Sequence, residues 1–165
     1  MNDISAILAG LESTPPLLQS MLEMIEEERV VECRIPGKWT IHEHACHLAT
    51  VDADVFLPRW RRFEKEASPR FTYFAGESVA PDHYRNMDLS AALRGFVKAR
   101  AELLERAHTV DFTFWSREAQ HPEYHRYTPR IMMRHLLLHD HFHMYRIEEL
   151  WLTRDNYLRG KARHA

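Results

Sequence analysis

Apolar residues recur three and four positions apart along almost the whole chain, which is the period of an α-helix. Only five glycines occur among 165 residues, and no internal repeat is visible. We therefore expect an all-α protein. With 45% hydrophobic residues, a chain of this length can bury one proper core, so residues 1–165 are predicted to form a single domain.

Prolines mark where the first helices begin and end. A short helix is predicted over about residues 3–10. The sequence Ser13-Thr14-Pro15-Pro16 then starts a second segment that runs to about Glu27, because proline is tolerated in the first turn of a helix. The two segments are alternatively one bent helix. Arg34-Ile35-Pro36-Gly37 breaks the chain before the next helix.

A capping box predicts the start of the second main helix. In Thr40-Ile41-His42-Glu43, the hydroxyl and the carboxylate can each accept a hydrogen bond from an otherwise unpaired backbone N–H. The helix should run from about Ile41 to Lys65. Pro58 is expected to kink it or to mark local unwinding, because proline removes one backbone hydrogen bond and clashes with the preceding turn.

The second half of the chain contains a long connection and two more helices. Residues 67–87 are predicted to form an ordered loop, and loops of this length often act as lids. A helix is expected from Leu89 to about His108, followed by an irregular stretch or short helix over 111–125. Thr128-Pro129 should open a last helix that ends near Thr153. Four main helices, with a long connection between the second and third, describe a four-helix bundle.

Histidine is the residue type that stands out, with 12 copies, and imidazole is the commonest protein ligand for transition metals. On the last helix His135, His139 and His143 are spaced by four, so they lie on one face, whereas His141 points almost the opposite way. Two imidazoles at positions i and i+4 can bind one ion of the size of Zn²⁺. The alternative is a pair of hydrogen-bonded core histidines.

A third imidazole favours the metal site. His47 lies on another predicted core helix in an apolar setting, and burying several uncompensated imidazoles costs free energy that a metal ion would offset. We predict that His47, His139 and His143 bind one divalent ion, with Zn²⁺ and Ni²⁺ as the expected metals. Three ligands leave at least one coordination position open, as in catalytic sites. The aromatic loop 67–87 should border this pocket.

Together these motifs resemble the DinB/YfiT-like family of metal-dependent enzymes, over essentially the whole chain. The matching pieces are Pro36-Gly37-Lys38-Trp39-Thr40, His47-Leu48 and His139-Asp140-x-x-His143, which are similar to the family's Trp-Ser/Thr, His-Leu and His-Asp-x-x-His elements. The resemblance implies a four-helix bundle, a homodimer, and metal ligands at the three histidines already named. The family often places Gly-Gln after the last ligand, whereas Tyr145-Arg146 stand there in this chain.

Three other residues are candidates for supporting roles. Asp54 should lie on the His47 face, where it would orient an imidazole, accept a proton or simply be solvated. Arg146, one turn past His143, would hold an anionic substrate group or pair with a helix carboxylate. His135 would take part in the hydrogen bonds around a metal-ligating histidine, fill the core or be a fourth metal ligand.

The function that these expectations favour is that of an enzyme acting on a small molecule. Known activities in the resembling family are thiol-dependent, namely transfer of a low-molecular-weight thiol to an electrophile or thiol-assisted isomerisation. Metal-assisted hydrolysis would use the same geometry with water as the nucleophile. The alternatives are a non-catalytic, stress-related bundle that binds a metal or small ligand, and a metal-free interaction module.

Composition excludes several other classes of protein. A net charge of −2 without a basic stripe argues against nucleic-acid binding. No apolar run approaches the roughly 20 residues of a membrane helix, and residues 1–16 lack the basic region of a signal peptide. Cys33 and Cys46 are too far apart for a CxxC pair and are expected to be reduced thiols. We therefore expect a cytoplasmic protein.

Overall fold

The computed structural model describes residues 3–73, 80 and 82–161, without the side chains of 159–161. Helices make up most of it, and a two-stranded antiparallel sheet precedes the last long helix. In chain order the elements are α1 (Asp3–Glu23), α2 (Glu27–Val31), α3 (Ile41–Val51), a π-helical segment (Asp52–Phe56), α4 (Leu57–Lys65), α5 (Leu89–Thr109), a 3₁₀ turn (Phe114–Ser116), β1 (Ala119–His121), β2 (Tyr124–Tyr127), α6 (Pro129–Leu152) and α7 (Asp155–Lys161).

Four long helical units form the bundle. Both α1 and α3 pack against α5 and α6, while the π-helical segment and α4 continue α3 along α5. One part of the core gathers around Trp60 and Met132, and a second part gathers around Phe96 and Ile147. The predicted all-α four-helix bundle, with its long connection between the second and third main helices, is confirmed.

The capping box starts α3 as the sequence predicts. The Thr40 hydroxyl accepts from the Glu43 backbone N–H at 3.2 Å, and the Glu43 carboxylate accepts from the Thr40 N–H at 2.8 Å. Both residues are buried, so water cannot readily replace these bonds. The box therefore fixes the first turn of the helix that carries His47.

Removing this cap should lower stability without changing the bundle. We expect Thr40→Ala to reduce the free energy of unfolding by about 1 kcal/mol, because a buried N–H loses its acceptor. Thr40→Ser keeps the hydroxyl and should stay within a few tenths of a kcal/mol of the wild type. Urea denaturation followed by circular dichroism measures both. Equal stability of Thr40→Ala and the wild type would contradict a role for the cap.

The first helix runs through two prolines without a break. Of the two alternatives for this region, one continuous helix is correct, with Pro15 and Pro16 inside α1. Pro15 has no N–H to donate to the Leu11 carbonyl. That carbonyl instead accepts from Arg100 Nη1 at 2.7 Å, and the Thr14 hydroxyl oxygen lies 3.0 Å from it. Side chains thus replace the backbone bond that proline removes.

Pro58 has the predicted effect on its helix. The unwinding takes the form of the π-helical segment, in which the Leu57 N–H bonds to the Asp52 carbonyl. Pro58 at the start of α4 has no N–H to donate to a carbonyl in the preceding turn. In the wider turn the N–H of the residue before it bonds five residues back, so fewer carbonyls of that turn lack a donor. The turn also rotates the residues that it contains. Asp52 faces the core, and Asp54 is exposed.

Two elements differ from the prediction. The stretch 111–125 contains the 3₁₀ turn and most of a β-hairpin, in place of the expected irregular chain or short helix. Its strands are three and four residues long, so packing of Ala119 and the fully buried Tyr127 against the core matters more than local propensity. Helix α7 follows the predicted end of the last helix.

The long connection can be followed only in part. Phe74, one of the aromatic residues expected in the 67–87 loop, lies outside the described residues together with 75–79 and Pro81. Of the described part, Phe71 and Tyr84 are buried, and Tyr73 is exposed. No described helix combines the length and the apolar character that a membrane span requires.

Candidate metal centre

Helices α3 and α6 bring three imidazoles together. His47 comes from α3, and His139 and His143 come from successive turns of α6. One nitrogen of each lies within 4.8 Å of a nitrogen of the other two. The ring centroids of the three pairs are 4.5 to 4.9 Å apart. The three residues that the sequence singled out as ligands therefore share one place in the fold.

The second nitrogen of two of these rings has a defined partner. His47 Nδ1 lies 2.9 Å from the Tyr84 hydroxyl, and His143 Nδ1 lies 2.9 Å from His44 Nδ1. These contacts leave Nε2 of both rings to face the centre of the cluster. Metal-ligating histidines usually have their other nitrogen held in this way. The arrangement thus fixes the orientation of both rings and turns their Nε2 atoms toward one point.

Burial keeps these imidazoles neutral. Burial, together with smaller contributions from the neighbouring His139 and His44, lowers the pKa of His47 to about 3. Burial also lowers the pKa of His143, with further contributions from His139 and His47. The pKa of His44 falls to about 4, first through burial and then through the charge of Arg146. A neutral imidazole offers the lone pair that a metal requires.

The spacing of the nitrogens suits one ion. Nε2 of His47 and Nε2 of His139 are 2.9 Å apart. Two imidazole ligands on a tetrahedral Zn²⁺ have nitrogens about 3.3 Å apart, from metal–nitrogen distances of about 2.0 to 2.1 Å. Small side-chain shifts would therefore admit an ion. Within the described part of the chain no fourth histidine, cysteine or carboxylate joins the three, which leaves a coordination position for a further ligand.

Aromatic side chains form one wall of the cluster. Trp39 lies 5.1 Å from His47 and 5.3 Å from His44, measured between ring centroids, and its ring stacks on that of His143. Tyr84 closes the same side. The expectation that the 67–87 loop borders the pocket is confirmed at Tyr84. Trp39 thus contacts three of the histidine rings, His44, His47 and His143.

The candidate supporting residues take different positions. Exposed Asp54 adds its charge to the effect of burial, and together they raise the pKa of Tyr84 to about 12. Arg146 forms an ion pair with Glu149, which is the helix-carboxylate alternative. His135 Nδ1 lies 3.3 Å from the Tyr124 hydroxyl and is not part of the three-imidazole cluster. The roles of Asp54 and Arg146 in catalysis stay predictions.

Sequence reasoning missed His44 as part of the site. It sits three residues before His47, and this spacing places both on one face of α3. The helical spacing of His44 and His47 was therefore visible in the sequence. Only the packing of α3 against α6 shows that the His44 ring contacts His143.

A buried ion network underlies the cluster and was also missed. Arg100 donates to both carboxylate oxygens of Asp52, at 2.6 and 3.0 Å, and to Asp140 Oδ2 at 2.8 Å. All three side chains are at most 2% exposed. The network joins α5 and α6 to the π-helical segment, directly beside His139.

Comparison with known proteins finds both a matching family and similar solved structures. A family model described as the DinB superfamily matches residues 11–147, a range that includes all three clustered histidines. Among solved structures, the chain is similar to YfiT from Bacillus subtilis, described as a probable metal-dependent hydrolase with an unusual four-helix bundle topology. The TM-score is 0.78 at 20% identity, over 89% of this chain and 85% of that chain. No curated protein matches.

Proposed function

The chain belongs to the DinB superfamily, and on that premise we propose that it is an enzyme that depends on one divalent metal ion held by His47, His139 and His143. The observation that carries this proposal is the cluster itself, in which three imidazoles from two helices converge. Partners on the far nitrogens of two rings support it further. Zn²⁺ and Ni²⁺ are the proposed metals, because both accept neutral imidazole ligands.

An ion with an open position would act as a Lewis acid, lowering the pKa of a water or thiol ligand so that a nucleophile is available near neutral pH. The protein's own groups hold this arrangement in place. Tyr84 and His44 orient His47 and His143, and Trp39 excludes water from one side. His139 has the most exposed ring of the three, with 18% of its side chain accessible, so a substrate would approach from its side.

Two reaction classes fit this site, and both are proposals. The description of YfiT as a probable metal-dependent hydrolase supports hydrolysis of a small molecule. Transfer of a low-molecular-weight thiol is the second class. The thiol would come from outside, because within the described residues the cluster contains no cysteine, and Cys46 is buried with its pKa raised to about 12, chiefly by burial. The homodimer and the cytoplasmic location also stay predictions.

Activity should depend on the metal ion and on a coordination position of that ion at which added ligands can bind. We expect untagged protein loaded with Zn²⁺ or Ni²⁺ to turn over members of an ester and amide panel, or to join small thiols to an electrophile. Chelation should abolish the activity, and metal return should restore it. Protein loaded with Co²⁺ provides a second measurement, because its visible absorption spectrum should shift when a thiol or a small anion binds.

One result would assign the ion a structural role. If the Co²⁺ spectrum does not respond to any added ligand, and chelation unfolds the chain, the site is closed and the enzyme proposal fails. The non-catalytic metal-binding bundle would then be the better description.

A further inference from the structure

Two buried polar atoms beside the cluster face each other without hydrogen-bond partners. Within the described residues, His139 Nδ1 and Asp140 Oδ1 are the buried side-chain atoms that lack one. They lie 4.0 Å apart, which is longer than a hydrogen bond but close for a charge and a ring N–H. An unpaired buried polar group is costly, so such a pair calls for an explanation.

The other oxygen of Asp140 is held firmly. Oδ2 accepts from the Thr14 hydroxyl at 2.8 Å and from Arg100 Nη2 at 2.8 Å. These donors come from α1 and α5, so two neighbouring helices fix the carboxylate of α6. Oδ1 is consequently held on the side of His139.

The charges of the network leave a negative excess at this place. Asp52 and Asp140 share a single guanidinium, that of Arg100, so the formal charge of the three buried groups sums to −1 when both carboxyls are ionised. A cation bound at His139 would offset this excess. Buried charges are normally paired, and the excess is therefore expected to have a partner.

We propose that Asp140 is the positioning residue of His139: its Oδ1 stabilises the His139 tautomer with hydrogen on Nδ1 and so leaves the Nε2 lone pair free for the metal ion. A neutral imidazole carries one N–H, and a nearby anionic acceptor determines which nitrogen carries it. This inference rests on the proposed function only in naming a metal as the ligand of Nε2.

The contact between the two clustered rings agrees with this assignment. At 2.9 Å, the Nε2 atoms of His47 and His139 cannot both carry hydrogen, so at least one of the two is bare. Asp140 selects His139 as the acceptor. Its lone pair then already points at the position where an ion would sit.

The variant Asp140→Asn tests the proposal, because its amide has one predictable orientation. Both neighbours of Oδ2 are donors, so the amide oxygen must take that position and the NH₂ group must face His139 Nδ1. A donor there favours the opposite tautomer, with hydrogen on Nε2. We expect Zn²⁺ to bind about 10- to 100-fold more weakly in competition with a chromophoric chelator, the range found when such a partner is lost.

A spectroscopic readout separates this role from a purely structural one. In zinc-free protein, the ¹⁵N chemical shifts of His139 should show hydrogen on Nδ1 in the wild type and on Nε2 in Asp140→Asn. An unchanged tautomer in the variant would overturn the proposal. This readout needs no metal, so it tests the role of Asp140 even if the wild-type protein binds no metal ion. Absence of metal binding in the wild type would contradict the proposed function and not the role of Asp140.

Asp52→Asn is the matched control. It removes the same charge from the same guanidinium, but both oxygens of Asp52 already bond to Arg100. We expect it to keep the His139 tautomer and to bind Zn²⁺ within about 3-fold of the wild type, since only a longer-range charge changes. Equal losses of affinity in the two variants would mean a general charge effect and would overturn the specific role of Asp140.

Discussion

Replacing His143 by alanine is expected to empty the site. With one of three imidazoles gone, the two remaining ligands should bind an ion about 100-fold or more weakly, since each ligand supplies a large share of the binding free energy. His139→Ala should behave in the same way. Elemental analysis of untagged protein by inductively coupled plasma mass spectrometry should find near one metal ion per chain in the wild type and almost none in either variant.

The same helix offers a control. His141 lies between the two proposed ligands of α6 but is exposed, so His141→Ala should keep the wild-type metal content. Unchanged metal content in His143→Ala would remove it from the ligand set. If the wild type also contains no metal after incubation with Zn²⁺ and Ni²⁺, the three histidines are core residues and the enzyme proposal should be dropped.

The second large effect is expected at Arg100. Arg100→Met keeps the length of the side chain but leaves two buried carboxylates, of Asp52 and Asp140, without their cation. Breaking one side of a buried ion network costs about 3 to 5 kcal/mol. Small domains have a free energy of unfolding of only about 5 to 15 kcal/mol, so the variant should be marginally stable. Urea denaturation at pH 7 measures the loss.

The loss should depend on pH in a defined direction. Burial raises the pKa of Asp52 above its ordinary value of 3.8, and Arg100 opposes that rise. Without Arg100 the pKa should rise further, so the folded variant binds protons that the unfolded chain has released. A group with a raised carboxyl pKa loses its contribution to stability as pH rises through that window. The deficit of Arg100→Met should therefore be smaller at pH 5 than at pH 7.

Arg106 on the same helix is the comparison. It bonds to Glu64 and Glu102 at the surface, where water screens the charges, so Arg106→Met should have a much smaller effect. A deficit of Arg100→Met that equals that of Arg106→Met, or that does not change with pH, would mean that the buried carboxyls are not the cause.

Local signals explain why much of the fold was predictable. The capping box at Thr40 and the Thr128-Pro129 helix start depend on residues within one turn, and both lie where the sequence places them. The pairing of His139 with His143 is also local, because it follows from helical spacing. Only His47 required a second element, and its apolar surroundings were enough to suggest that it lies in the core.

Contacts between distant parts of the chain explain what was missed. The network around Arg100 joins residues up to 126 positions apart, and nothing near Thr14 in sequence points to Asp140. The prediction for Asp54 assumed 100° per residue throughout the helix. The π-helical segment breaks that assumption, and Asp54 is exposed whereas Asp52 is buried. The hairpin was missed because its strands are too short to show an alternating pattern.

The wider turn before Pro58 also bears on insertions and deletions. The π-helical segment holds one residue more per turn than a regular helix, so deleting one residue there would restore the α-helical register. Winding all the present residues as a regular α-helix, without a deletion, would instead turn α4 by about 100° relative to α3. His47 and Trp60 could then not both face the interior, although each is now almost fully buried. The wider turn thus absorbs the extra residue and keeps in phase the half of the helix that carries the imidazoles and the half that packs in the aromatic core.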